Sequence, residues 1–245
     1  MYLLSEIQKE YFGIESPCIP NKRKAEFLLR VAQYFLQAGG PEEYQRKPVV
    51  REELAAGADS YLHRGTYCPS PVIDLLVGNY HRGRILKRPS SRSRISHRYL
   101  FDDKGLYMVL RYSAKNPNYV GAVEYLLHEG GLVVGITLSD HGEICMLSEE
   151  RYDGETLTDY FCVACRNCGK EYAFVRGERE SYIYDEEGIL ECTSSHFESG
   201  YYETIHRYRF IREDGCLKSY FNVKNPAVIY TPGKKRLALS PYFQV

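Results

Sequence analysis

The residues best suited to chemistry lie in one short run, Cys162-Val163-Ala164-Cys165-Arg166-Asn167-Cys168-Gly169. Cys165 and Cys168, with the glycine after them, have the spacing of a zinc knuckle, in which backbone amides turn towards two thiolates. A structural zinc needs two further ligands, and no Cys-x-x-Cys stands outside this run. The nearest completion is Cys192 with His196, four apart and on one face of a strand, at the distance of a small zinc ribbon. Cys165, Cys168, Cys192 and His196 are therefore the candidate metal ligands, and zinc there would be structural. The same cysteines also suit a turn and its adjoining strands as small apolar residues. An iron–sulfur centre would need a fourth thiolate, and the proline that follows the bacterial ferredoxin run is missing. Apart from zinc, no cofactor is expected.

A second candidate is electrostatic. Arg82, Arg84, Lys87, Arg88, Arg92, Arg94 and Arg98 crowd into residues 82–98, with no acid between Asp74 and Asp102. In a chain with 32 basic and 32 acidic side chains this is a local asymmetry. Such a run follows a nucleic-acid backbone by releasing counterions from phosphates. It also meets an acidic protein face and speeds docking, or simply keeps a hinge solvated. The acidic stretches 140–159 and 178–191 read as hairpin tips and outward strand faces, open to a basic partner. The 7 histidines are dispersed, and none belongs to a His-Glu-x-x-His motif. His128-Glu129 and Asp140-His141 would form acid–base pairs only if the fold brought those turns together; solvated turn histidines are the plainer expectation. Phosphate-binding, dinucleotide and nucleophile-elbow glycine motifs are absent, and Gly130, Gly131 and Gly135 read as hairpin-turn glycines.

These residues are positioned by elements whose period changes along the chain. Residues 22–38 put Phe27, Val31, Tyr34, Phe35 and Ala38 on one helical face, capped by Asn21 and stopped by Gly39-Gly40. Residues 4–11 are amphipathic. Ser70-Pro71 opens a helix through Val72, Ile73, Leu75 and Leu76 to Gly78, and residues 51–63 make a further helix candidate interrupted by Gly57. Residues 89–94 are a polar, charged hinge. Beyond it the pattern alternates: Leu106, Met108, Leu110 and Tyr112 share one strand face, and Tyr208 and Phe210 alternate with Arg207 and Arg209. Strands are predicted at 120–127, 132–138, 144–148, 157–163 and 171–175, with turn residues between them. The proline-bearing stretch after Asn225 suits an edge strand.

One phrase recurs. It reads Tyr99-Leu100-Phe101-Asp102-Asp103-Lys104-Gly105-Leu106, then Tyr182-Ile183-Tyr184-Asp185-Glu186-Glu187-Gly188-Ile189, and more loosely over 208–217. Each copy encodes a β-hairpin, and their uneven spacing excludes a propeller or solenoid. The predicted fold class is α+β, with N-terminal helices packed on a large antiparallel β-meander of about eight to ten strands. Residues 1–94 form a mainly helical region and 95–245 an antiparallel sheet region, as two units or one continuous domain. The 23 tyrosines suit half-buried pleated faces. The first residues acquire charge too early for a secretory leader, and no apolar run approaches the roughly 20 residues that span a bilayer. The 8 cysteines are then expected as free thiols in the cytoplasm, with no membrane partner.

The hairpin phrases, Tyr-x-Phe/Tyr-Asp with a glycine some three residues on, resemble the tyrosine–aspartate hairpins of bacterial toxin-system proteins. Over residues 96–223 the chain is similar to the β-rich immunity proteins of bacterial polymorphic and contact-dependent toxin systems. The resemblance implies a cytoplasmic protein, not an enzyme, that neutralises a nuclease-like toxin domain by occluding its active site, with no catalytic residues to carry over. The expected function is thus non-catalytic binding of a protein toxin, with the basic residues of 82–98 as contact surface. Two alternatives stand beside it. One is a nucleic-acid-binding module using the same segment, with or without zinc; the other is an enzyme with a histidine–carboxylate pair in a helix–sheet cleft.

Overall fold

A computed structural model of the chain describes residues 21–59, 63–76, 81–90, 93–116, 118–169, 171–198, 202–213 and 216–230. Its helices are α1 (Asn21–Gln37), α2 (Gly40–Gln45) and the short α3 (Ile73–Leu76), with a 3-10 turn at Gly65–Tyr67. Its strands are β1 (Arg51–Ala58), β2 (Arg82–Ile85), β3 (Ile95–Asp102), β4 (Gly105–Tyr112), β5 (Val120–Glu129), β6 (Leu132–Ser139) and β7 (Ile144–Asp153). They continue as β8 (Thr156–Asn167), β9 (Tyr172–Asp185), β10 (Gly188–Glu198), β11 (Tyr202–Glu213), β12 (Cys216–Asn222) and β13 (Asn225–Tyr230). All pair antiparallel in one 13-stranded sheet, ordered β13 down to β3, then β1 and β2.

The recurring phrases fold alike. Asp102 pairs with Gly105 and Asp185 with Gly188 across tight turns. In each, the aspartate Oδ1 accepts the amide two residues on, from Lys104 and Glu187, at 2.9 Å. The glycines then take φ of 127° and 118°, where a side chain would be strained. Asn222 repeats the aspartate's role, accepting the Lys224 amide at 2.9 Å before β13. The edge strand predicted after Asn225 is β13, with Pro226 where no neighbour needs its missing N–H.

Helix α1 lies across one face of the sheet. Phe27, Leu28, Val31 and Phe35 are at most 5% exposed and share a core with Val134, Ile136, Leu147, Phe161 and Val163. Each contributes roughly 1.5–3 kcal/mol. Within this apolar seam Lys24 Nζ reaches Glu149 Oε1 at 2.7 Å. The Asn21 amide ties the helix start to Ser195 Oγ of β10 at 3.2 Å.

The other face is covered by the strap of residues 63–76. Ser70 is the expected cap, its Oγ accepting the Ile73 amide at 3.1 Å. Val72 and Leu75 pack on Tyr160, Tyr182, Cys192 and Tyr220, and Tyr220 OH donates to the Leu75 carbonyl at 2.7 Å.

Three expectations need correction. Residues 51–58 are strand β1 and not helix: Glu, Leu and Ala favour a helix, but pairing from Arg51–Phe101 to Ala55–His97 along β3 overrides that preference. The sheet therefore runs across position 94, and the N-terminal third is helical only in part. Gly135 lies in mid-strand, opposite Ser148, and not at a turn. The strands also outnumber the eight to ten expected. The stretch 4–11, Gly78 and the chain after 230 lie outside the described residues. No helix among the described residues is long and apolar enough to cross a membrane.

Candidate functional site

Strand register lays polar side chains in rows beneath the strap. One row runs Gly135, Ser148, Cys162, Glu178 and His196 across β6 to β10; the next runs Val133, Glu150, Tyr160, Glu180 and Ser194. Alternation sends these residues to the strap face, while Val134, Leu147, Phe161 and their neighbours face α1. Carboxylates so buried need counter-charges, and the strap delivers them.

Arg64 is the centre of this network. It is 4% exposed and the one non-glycine described residue at positive φ, 59°. Its Nε donates to Glu124 Oε1 at 3.0 Å, its Nη1 lies 2.5 Å from Glu150 Oε1, and its Nη2 donates to Ser148 Oγ at 3.2 Å. Its carbonyl accepts Tyr99 OH at 2.8 Å, which fixes the strained backbone. Beside it, His63 Nε2 lies 2.8 Å from Glu124 Oε1 and Nδ1 lies 2.8 Å from Tyr160 OH. Burial alone would raise the Glu124 pKa, but Arg64 and His63 outweigh it and hold the carboxyl at about 2. Burial likewise opposes the Arg64 charge, and Glu124 and Glu150 more than restore it.

Further along β9, Glu178 and Glu180 are 9% and 0% exposed. Glu180 Oε2 accepts Ser70 Oγ at 2.6 Å and also the Tyr182 hydroxyl. Burial, then the neighbouring Glu180 charge, push Glu178 up to about 9, so at neutral pH it is an uncharged acid hydrogen-bonded to Glu180.

Where the strap ends, the sheet opens. A cavity of about 480 Å³ lies over β1 to β4, lined by Arg84, Arg94, Arg111, His97, Tyr112 and the hydroxyls of Ser93, Ser96 and Ser113 among others. Among the described residues no carboxylate pairs with Arg84, Arg94 or Arg111. His97 and Arg111, cross-strand neighbours, also line a cavity of only about 10 Å³ that reaches His63, Arg64 and Glu124. That volume suits a single water. Among the described residues, the void beside the His63–Glu124 pair is no larger than that.

The sequence-predicted residues are distributed unevenly around these features. Of the basic run, Arg84 and Arg94 converge on the cavity, while Lys87 and Arg88 are exposed beyond it. Arg82 is turned inward, its Nη1 and Nη2 donating to the Cys68 and Ser70 carbonyls at 3.1 and 2.6 Å. Arg98 is held by Glu52 at 2.7 Å, and Arg92 lies outside the described residues. The run is thus not one continuous stripe, and Arg111, from a strand outside it, completes the cavity. The signal for Arg111 was the register His97–Arg111, which one strand's pattern does not reveal.

The predicted zinc quartet is not brought together. Cys165 packs in the α1-side core and Cys192 in the strap-side cluster, on opposite faces of the sheet, while Cys168 is exposed after β8. Strand alternation places Cys165 with Phe161 and Val163 on the helix side. His196 Nε2 lies 3.6 Å from Glu178 Oε1. Among the described residues no group of three or more His, Cys, Asp or Glu side chains could hold a metal. Cys68, Cys145, Cys162, Cys165, Cys168 and Cys192 are free thiols, and burial pushes Cys68 and Cys165 up to about 12.

The histidine turns stay apart at opposite ends of β5 and β6: His128 Nε2 meets the Leu106 carbonyl at 2.7 Å, and the His141 side chain is 81% exposed. The acidic stretches are largely inward. Glu149, Glu150, Glu178, Glu180 and Glu191 are 9% exposed or less, and Arg207 and Arg209 clasp Glu191 at 2.7 and 2.6 Å. Their turn residues face water. In comparisons with known proteins the chain matches no family model, no curated protein and no solved structure.

Proposed function

We propose that the chain is a non-catalytic binding protein that docks an acidic partner at the basic end of its sheet. In its most specific form it is an immunity-type protein that neutralises a bacterial toxin in the cytoplasm. One observation carries the reading: Arg84, Arg94 and Arg111 line one open cavity with no carboxylate partner among the described residues, and Lys87 and Arg88 are exposed beyond it. Unpaired cations on a rigid sheet give fast, selective docking to an opposed charge field. The sign also narrows the partner. A nuclease's phosphate-tracking groove is itself basic, so the toxin surface covered here is an acidic one. The His63–Glu124 pair, sealed beneath the strap, serves structure in this reading, and catalysis has no part in it.

The test pairs the chain with the toxin domain encoded beside it. The two should co-purify, and Arg84→Glu with Arg94→Glu should slow association about tenfold or more at low salt. Cells that overproduce the chain and still die at the normal rate remove the immunity reading.

A further inference from the structure

We propose that the basic cavity is a binding site for a phosphate monoester whose organic part is about the size of a nucleoside. This goes beyond the docking of an acidic protein and does not depend on it.

The cavity's lining is a set of donors looking for an oxyanion. Arg84 and Arg94 reach it from β2 and from the segment before β3, and Arg111 from β4. Guanidinium groups match phosphate oxygens in a fixed fork and stay charged at any working pH. Ser113 adds a hydroxyl donor. Its Oγ already accepts the amides of Lys115 and Asn116 at 3.2 and 3.4 Å, so its proton is free for a ligand oxygen.

His97 stands behind this wall. It is 1% exposed, and its Nε2 has no hydrogen-bond partner. Ser96 Oγ gives its proton to the Ala55 carbonyl at 3.2 Å, so His97 Nδ1, 3.2 Å from the same oxygen, is the nitrogen that donates. Nε2 therefore presents a lone pair. Burial and the adjacent Arg111 hold the imidazole pKa at about 4, so that lone pair persists at neutral pH. Nε2 is sealed from solvent, so a ligand in the cavity does not reach it, and the neutral imidazole leaves the charge of this wall to the arginines. The oxyanion that suits this wall carries several negative oxygens for the three guanidinium groups. A phosphate monoester, with a charge of about −1.5 to −2 and three acceptor oxygens at neutral pH, supplies them and also carries an organic body, which sulfate lacks.

Size sets the rest of the ligand. At about 480 Å³ the cavity falls within the range of small-molecule sites. Phosphate occupies a fraction of that volume, and Tyr112, Leu86 and Ile95 offer apolar wall to an organic body.

The experiment is calorimetric titration of the full chain at low salt and pH 6.5 with adenosine monophosphate, adenosine, inorganic phosphate and sulfate. The monophosphate is expected to bind at least tenfold more tightly than adenosine or sulfate. Arg94→Ala and Arg111→Gln should each weaken it about tenfold or more, the worth of one charged hydrogen bond. Inorganic phosphate that binds and displaces the monophosphate supports the site. Sulfate binding as tightly as the monophosphate, binding unchanged in both variants, or no binding at all overturns it. So does a single-stranded oligonucleotide that binds with a steep salt dependence while the monophosphate does not. Arg84→Ala, at an exposed position, keeps the test valid if Arg111→Gln fails to fold. Toxin capture by a chain that ignores phosphate would sink this proposal alone.

Discussion

Gly135 stands opposite Ser148 in the middle of the sheet, and the space its missing side chain leaves is where Arg64 enters. A Cβ built on Gly135 would lie 2.3 Å from Ser148 Oγ, 2.5 Å from Glu124 Oε1 and 3.0 Å from Arg64 Nη2. Three polar atoms of the buried network thus occupy the room of one methyl group. None of them can retreat without losing a partner.

Gly135→Ala should therefore cost about 1–3 kcal/mol through overpacking, although alanine is the better residue for an unstrained backbone. Urea unfolding measures it. A change within about 0.5 kcal/mol, the range of a neutral surface substitution, would mean that the strap does not seat on this strand.

Glu178 gives stability an unusual pH dependence. Its folded pKa, about 9, lies above the ordinary 4.5, so its favourable contribution is complete below 4.5 and is lost as pH rises through 9. Glu178→Gln keeps the shape and cannot ionise. The variant should be nearly as stable as the parent at acid pH and about 1–3 kcal/mol more stable near pH 9, where the parent must bury an unmatched charge. Denaturation curves at several pH values decide this; parallel parent and variant curves up to pH 9 would reject it.

What the sequence disclosed follows from range. Asp102, Asp185 and Ser70 act over two or three residues, and each behaves as its local pattern says. Of the helical face expected over 22–38, Phe27, Val31 and Phe35 are buried, while Tyr34, at 48%, and Ala38 are exposed. The strand β1 did not, because Arg51–Ala58 has helix-forming residues and becomes a strand only through β3. The buried site was harder still. His63 meets Glu124 across 61 positions and Lys24 meets Glu149 across 125. A histidine–carboxylate pair was foreseen as a class, yet sought at His128 and His141, where sequence neighbours suggested it. The visible trace was a glycine inside the apolar run 132–138 and glutamates at 178 and 180 on one strand face. Both break the expected pattern, and breaks of that kind mark places where a distant segment is seated.

Lys24 and Glu149 differ in what each loses when the other is removed. Glu149 keeps Arg151 Nε at 2.7 Å, whereas Lys24, which is 3% exposed, has among the described residues no carboxylate but Glu149 within ion-pair distance. Glu149→Gln should cost about 3–5 kcal/mol by stranding a buried ammonium. Lys24→Met should cost clearly less, and Lys24→Met with Glu149→Leu should approach the parent. Equal losses for the two single variants would show that Arg151 does not substitute for Lys24.

The last prediction concerns the acid side. The Glu124 pKa, about 2 in the folded chain against an ordinary 4.5, gives a contribution that is complete above 4.5 and is lost as pH falls through 2. Glu124→Gln should cost about 3–5 kcal/mol at neutral pH, since Arg64 and His63 lose the carboxylate between them. The difference between parent and variant should shrink steadily below pH 4.5, because the parent is then losing the same charge by protonation. Acid titrations of the two proteins, followed by tyrosine fluorescence, test the sign directly. A penalty that stays constant down to pH 2 would mean that Glu124 acts through packing, and that the charge on Arg64 is balanced chiefly by Glu150.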